Sequence, residues 1–340
     1  MLDENAPPHA TDTDPGDDLE IIDRCPMCQS PDCRVAADRV IDLNYGRDDG
    51  LFTFMRCNAC KSVWLRERPV GARLGRAYAG YYTHADPDNG DGSGSLKSMV
   101  RNAYIRSRYG RGSGVLARVM SVVAGLADKD FQGIDRLYRF APKAPATVLD
   151  YGCGSGAYLL RLWPLGHELQ GLEYDPQLIG SLAEHGIPVG DVSQIDDHHW
   201  HEEFDHISLA HVLEHVPDPH ALLARLFRWL KPGGTLFVEL PNGGSRGLDI
   251  FGRQWRCLET PRHFVMPSRQ AMVDAFLKAG FVAPRQYVDL TIRPVMWRNS
   301  LATCPDEERP AAAAAVAAAG TQTPDDTEYL TFVATKPGTR

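Results

Sequence analysis

No stretch of this chain approaches the roughly 18 consecutive apolar residues that a membrane-crossing helix requires, so no membrane partner is expected. Residues 1–20 carry Asp and Glu throughout and two adjacent prolines. Such a start is unlike a secretory signal, reads as a disordered acidic tail, and makes a cytoplasmic protein the expectation. Positive charge is also scarce. Lys and Arg number 36 against 44 Asp and Glu, for a formal net charge of -8 and a sequence pI of about 5.8. This gives no general reason to bind nucleic acid and leaves only a local basic patch for that role. What remains is a chain of 340 residues, long enough for one sizeable core plus a small module.

Thr147-Val148-Leu149-Asp150-Tyr151 is a short β-branched and aliphatic run that passes directly into Gly152-Cys153-Gly154-Ser155-Gly156 and then into a helix opening, Ala157-Tyr158-Leu159-Leu160. Strand, glycine turn and helix in that order bring the backbone up to a nucleotide-like ligand: glycines put no side chain in the way, and the helix N-terminus points its amides into the same space. Glu173 closes the next apolar run, Leu169-Gln170-Gly171-Leu172, where a carboxylate can take both hydroxyls of a ribose. The turn holds no lysine or arginine and lacks the Gly-Lys-Ser/Thr ending of a P-loop, and Glu173 would repel a phosphate. A positively charged sulfonium ligand suits these surroundings better than a pyrophosphate does.

In form the turn resembles that of the class I S-adenosylmethionine-dependent methyltransferases of the small-molecule type. Asp150 opens Asp-Tyr-Gly-Cys-Gly-Ser-Gly, where a dinucleotide loop begins with its first glycine. The likeness continues in order through Gly190-Asp191-Val192, a fourth strand at 204–211, and a turn and fifth strand from Lys231-Pro232-Gly233-Gly234, covering about 146–280 and the C-terminus. It implies an α/β fold with a Rossmann-like seven-stranded sheet, and S-adenosylmethionine as cofactor. By the same likeness Gly152 and Gly154 approach the methionine part, Asp150 lies beneath the turn near the amino group, Glu173 binds the ribose, and Asp191 accepts from the adenine amino group. Cys153, Tyr174, Val192, Ala210 and His211 complete the implied cofactor-binding set.

Cys25-Pro26-Met27-Cys28 and Cys57-Asn58-Ala59-Cys60 form two Cys-x-x-Cys pairs separated by 28 residues. This is the pattern of a tetrahedral structural zinc site, and thiolate ligands let a module folded around metal stand where its own core is too small. Cys33 is given no role, and Cys153 and Cys257 read as packing residues. Between the pairs, Val40-Ile41-Asp42-Leu43 and Leu51-Phe52-Thr53-Phe54-Met55 read as strands of a zinc ribbon over 21–68. Arg34, Arg39, Arg47 and Arg56 are balanced by Asp32, Asp38, Asp42, Asp48 and Asp49, which favours a structural or substrate-covering lobe over an RNA footprint. The arrangement resembles that of small-molecule methyltransferases, some acting on sugars and others on natural products, with cysteine pairs ahead of the catalytic domain.

Residues 69–140 read as a helical lid and linker. Its tyrosines, Tyr78, Tyr81 and Tyr82, can lay rings over a ligand and offer hydroxyls, with Tyr81 and Tyr82 the pair assigned to the site. A polar loop at 86–95 and helices carrying Arg101, Arg106, Arg108, Arg111 and Arg118 follow. The catalytic domain is placed at 141–340, with a substrate loop at 241–267 and an alanine-rich insertion at 293–326 that forms a short helix or remains mobile.

Ala210-His211-Val212-Leu213-Glu214-His215 matches the inverted zinc-protease signature His-x-x-Glu-His, with His211 and His215 one turn apart if a helix begins there. The family resemblance puts these residues after the fourth strand, beside the cofactor's sulfonium, in enzymes that need no catalytic metal. A neutral imidazole there can take a proton from the acceptor. His211 is therefore the leading acid–base candidate, and His263, within Trp255-Arg256-Cys257-Leu258-Glu259-Thr260-Pro261-Arg262-His263, is the second. The expectation is methyl transfer to a small metabolite or natural product at a hydroxyl or activated carbon. Two other readings stay open: an RNA or protein methyltransferase that recognises its target through the zinc module, and a non-catalytic cofactor-binding regulator. A homodimer is left open.

Overall fold

Around the four cysteines the chain is built from short strands: β1 (Leu19–Ile21), β2 (Cys33–Val40), β3 (Phe52–Cys57), β4 (Val63–Leu65) and β5 (Glu67–Pro69). The computed structural model describes residues 18–43, 50–78, 105, 139–175, 178, 182 and 185–339. Tyr81, Tyr82, the loop at 86–95, Arg47, Asp48, Asp49 and the arginines Arg101, Arg106, Arg108, Arg111 and Arg118 lie outside the described residues, as do most of the expected tail and lid. β2, β3 and β4 pair antiparallel, and β1 pairs with β5.

One strand of the ribbon is displaced from its expected position. β2 ends at Val40, where a strand over 40–43 was expected to begin. Beyond it Asp42 turns inward to a buried arginine and Ile41 faces solvent, so the side chains are directed by that polar contact and not by a strand ladder. The second strand lies where the alternation of Phe52 and Phe54 puts it, with both rings buried.

The remaining strands are β6 (Thr147–Tyr151), β7 (Glu168–Glu173), β8 (Val189–Asp191), β9 (Phe204–Ala210), β10 (Leu230–Pro241), β11 (Val265–Met266), β12 (Val282–Tyr287) and β13 (Tyr329–Thr335). Seven of them form one sheet in the order β12-β13-β10-β9-β6-β7-β8. β8, β7, β6, β9 and β10 run parallel, while β13 is antiparallel to both β10 and β12. This is the Rossmann-like α/β architecture. Val148, Leu149, Ile207 and Leu209 are buried, as strands covered on both faces require. The chain leaves β6 toward β7 and β8 and returns on its other flank as β9, so the order reverses beside β6 and opens a crevice at the carboxyl ends of β6 and β9.

The expected turn at Lys231–Gly234 is absorbed into β10 as an irregularity, with the register against β9 shifting between Leu230 and Thr235 and Gly233 at φ 79°. The helix at 269–279 is capped by Ser268, whose hydroxyl accepts from Ala271 N at 3.2 Å, and stopped by Gly280 at φ 102°. The alanine-rich segment forms a helix at 309–318 after a helix at 292–303. In the latter, Trp297 is buried and donates to Glu328 Oε1 at 2.6 Å.

β11 does not join the large sheet. It extends the ribbon sheet, which runs β11-β4-β3-β2, with Val265 opposite Trp64 and Met266 opposite Val63. A single apolar cluster holds Cys25, Phe54 and Trp64 together with Leu236, Phe276 and Phe332. Among the described residues no helix is long and apolar enough to cross a membrane.

Candidate active site and metal centre

Gly152, Gly154 and Gly156 all take positive φ, at 72°, 53° and 74°, where a Cβ would be strained. At Gly152 an added Cβ would stand 2.5 Å from Val212 Cγ2, and at Gly156 it would stand 2.2 Å from Leu182 Cδ2. These two glycines are therefore required by the protein's own packing, a reason the sequence reading did not supply. Glu173 shapes the same turn: its Oε2 accepts from Gly154 N at 2.7 Å, and its Oε1 accepts from Tyr174 N at 2.8 Å and Asp175 N at 3.1 Å. A carboxylate has about four acceptor sites, so with three taken by backbone amides it keeps about one for a ribose hydroxyl. Asp150 is buried beneath the turn and accepts from Ser208 Oγ at 2.6 Å. Burial pushes its carboxyl up to about 7, against the Ser208 hydrogen bond and with the charge of Glu173.

Cys153 is buried, and burial raises its thiol pKa, which disfavours the thiolate that a nucleophile requires. Tyr174 is exposed just past β7. Asp191 ends β8 and accepts from Ser193 N at 2.7 Å, with Val192 opening the short helical turn that follows. Together with Ala210, exposed at the end of β9, these residues stand at the carboxyl ends of β6 to β9.

No α-helix begins at His211. The residue takes φ 57°, and a single 3-10 turn, Leu213–His215, follows; the α-helix starts only at Pro219, where Asp218 accepts from Ala221 N at 3.0 Å. The left-handed kink turns the His211 ring onto Tyr329, at 4.8 Å between centroids, and toward two acids: Nδ1 is 3.4 Å from Glu214 Oε1 and Nε2 is 3.7 Å from Glu239 Oε1. Burial disfavours its charge, but the two carboxylates outweigh that and raise the imidazole to about 10. These surroundings favour the protonated ring, where the sequence points to a neutral one, and the side chain is 43% exposed.

His215 and His263 lie against each other, their centroids 4.8 Å apart. His215 Nδ1 is 3.0 Å from the Arg262 carbonyl and 2.9 Å from Tyr78 Oη, and burial followed by the proximity of His263 lowers the ring to about 4. His263 is buried, with Nδ1 2.7 Å from the Cys257 carbonyl. Arg262 is fully buried and pairs through both terminal nitrogens with Asp42 of the ribbon, at 2.9 and 3.1 Å. The structure therefore brings His211, His215, Glu214 and His263 into one cluster, and the lid residue that reaches it among those described is Tyr78. Sequence reasoning missed Glu239 and the Asp42–Arg262 pair. Glu239 had a signal, an acid inside the apolar run Leu236–Leu240.

In the ribbon the sulfurs of Cys25 and Cys60 are 3.5 Å apart, as are those of Cys28 and Cys57, and all four lie within 4.8 Å of one another. A tetrahedron of thiolates 2.3 Å from a metal puts its sulfurs about 3.8 Å apart, so the set fits a metal. The two pairs are locally alike: Gln29 N donates to the Cys25 carbonyl at 2.8 Å and Lys61 N to the Cys57 carbonyl at 3.1 Å, with Gln29 at φ 61° and Lys61 at φ 65°. Two non-glycine residues held left-handed at matching positions are the mark of a built site. Cys33, by contrast, sits 3.8 Å from the Asp23 carbonyl and outside the cluster.

The family described as "Methyltransferase domain" matches residues 127–284. The chain is 29% identical over 168 residues to the ubiquinone biosynthesis O-methyltransferase of Xanthomonas oryzae pv. oryzae (strain PXO99A), covering 46% of this chain and 70% of that one. It is 33% identical over 168 residues to the protein of the same name from Xanthomonas euvesicatoria pv. vesicatoria (strain 85-10), with the same shares covered. A solved structure of Haemonchus contortus phosphoethanolamine N-methyltransferase 2 in complex with S-adenosyl-L-methionine aligns over 90% of this chain and 68% of that one at 14% identity, with a TM-score of 0.46.

Proposed function

Because the chain belongs to the S-adenosylmethionine-dependent methyltransferases, we propose that it methylates a small molecule at a hydroxyl or an activated carbon. The observation that carries this reading is the convergence of His211, Glu214 and Glu239 at the end of β9, next to the glycine turn and open to solvent on the His211 side. S-adenosylmethionine, when bound, supplies the methyl group. Glu173 and Asp191 would hold the ribose and adenine, and Asp150 would lie under the amino end. His211 lies between two carboxylates at the mouth of the crevice, where one ring nitrogen can take the acceptor's proton as the methyl group arrives while the other passes its own proton to the carboxylate beside it. The catalytic role of Tyr81 and Tyr82 stays a proposal that rests on the sequence alone. Zinc is proposed as the ribbon metal, since four thiolates leave no open position for chemistry.

The ribbon's contacts with β11 and Arg262 support a structural lobe that frames the substrate loop. Incubation with S-adenosylmethionine labelled in its methyl group and a fractionated cell extract tests the substrate class. Label is expected in the small-molecule fraction; label confined to RNA or protein would overturn the reading. His211→Ala is expected to slow single-turnover methyl transfer by about 10²- to 10⁴-fold with cofactor affinity largely kept. A wild-type rate in that variant together with loss in His263→Ala would move the proton-handling role to His263.

A further inference from the structure

Glu214 is fully buried, and among the described residues no hydrogen bond reaches either of its carboxylate oxygens. His211 Nδ1, 3.4 Å away, pairs with it by charge without hydrogen-bond geometry. One ring nitrogen each of His215 and His263 and one oxygen of Glu214 lie within 4.8 Å of one another. Both rings are oriented by the backbone, His263 through Nδ1 to the Cys257 carbonyl and His215 through Nδ1 to the Arg262 carbonyl. The Cys257 carbonyl only accepts, so His263 Nδ1 carries the hydrogen and its Nε2 presents the lone pair, while His215 Nδ1 lies between the Arg262 carbonyl and Tyr78 Oη, 2.9 Å away. Outer-shell contacts of this kind are what set a histidine up as a metal ligand. His263 Nε2 stands 4.0 Å from Glu214 Oε1 and 3.8 Å from Glu259 Oε2, too far for hydrogen bonds.

We infer that Glu214, His215 and His263 form a divalent-cation site distinct from the four cysteines. Two imidazole nitrogens and a carboxylate oxygen suit a transition ion such as Zn2+, Mn2+, Fe2+ or Co2+ better than Mg2+ or Ca2+, which favour all-oxygen sets. Bonds of about 2.1 Å place tetrahedral donors about 3.4 Å apart, a contraction within the reach of side-chain rotation. Three protein ligands leave positions open, as a catalytic site does and a structural one does not. The site follows β9 directly, next to Val212, against which Gly152 of the glycine turn packs. The ligand class that would complete it is therefore an oxygen of the methyl acceptor, from a hydroxyl or an enolisable carbonyl. Of the His-x-x-Glu-His motif only the last two residues take part, and the third ligand comes from the loop after β10, which hides the set from local spacing.

Metal content is read without any acceptor, so a failure here leaves the proposed methyl transfer standing. The full-length chain produced in cobalt-supplemented minimal medium is expected to hold two equivalents of Co2+, one with intense thiolate-to-cobalt absorption and one with weak ligand-field bands only. Glu214→Gln and His263→Ala are expected to lose the second, with its Kd raised by about 100-fold, while the thiolate bands persist. A single equivalent in the wild type, or two in both variants, overturns the site. If the variants fail to fold, the wild type decides. With zinc in the cysteine site, added Mn2+ is expected to broaden the NMR signals of the His215 and His263 rings ahead of the other histidines, and uniform or absent broadening overturns the site.

Discussion

The carboxylate of Glu173 accepts from three backbone amides at once, so its removal takes away the proposed ribose contact and the clamp on the glycine turn together. Glu173→Ala is expected to weaken S-adenosylmethionine binding by about 1.5–3 kcal/mol; unchanged affinity in a calorimetric titration would reject the placement. Asp150 is expected to make the binding pH-dependent. Burial, helped by the charge of Glu173, raises its carboxyl to about 7, above the unfolded value of about 3.9. The folded state therefore holds the proton more tightly, and the stability this contributes is present at low pH and lost as pH rises through about 7. A cationic ligand favours the ionised form, so cofactor affinity is expected to rise between pH 6 and pH 8, and Asp150→Asn to flatten that rise. Equal wild-type affinity at the two pH values would count against Asp150 as a neighbour of the ligand's charge. Asp150 and Glu173 could be singled out in the sequence because each stands at the end of its own short apolar run. Asp42 could not, since its partner Arg262 lies 220 residues away and nothing local marks either as buried.

Among the elements, β11 ties the ribbon to the cluster of histidines. It follows His263 by one residue, Phe264, and pairs with β4, while Asp42, just beyond β2, holds Arg262. The Cys-x-x-Cys spacing announced the ribbon, but its pairing with the substrate loop depends on a two-residue strand with no periodicity to read. Cys28→Ala is accordingly expected to lower both metal content and thermal stability. Methyl transfer should fall in step with the loss of the folded ribbon. A variant that lost the metal yet kept full stability and rate would show the ribbon to be dispensable to the site. The kink at His211 was equally hidden, because a helix reading of 210–215 and a left-handed turn followed by a 3-10 turn share the same letters.

Across the whole molecule, one apolar cluster runs from Cys25 and Phe54 through Trp64 to Phe276 and Phe332, so the ribbon and the large sheet do not own separate cores. Calorimetric unfolding of the metal-loaded chain is expected to show a single cooperative transition; two resolved transitions would mean that the lobes fold independently. The sheet order was foreseeable from the family likeness, since the motifs occur in the order that the strands require. The boundary expected at residue 68 was less informative, because a division by composition sees linkers and does not see shared side-chain packing.

The seam between β4 and β11 also decides where this chain can be recombined. A crossover placed in the linker after β5 would swap the ribbon but leave β11 facing a foreign edge, with Arg262 buried opposite a residue not chosen to meet it. The inheritable unit is therefore discontinuous: the N-terminal ribbon travels with the 241–267 loop, and chimaeras that exchange both together should express where single exchanges do not.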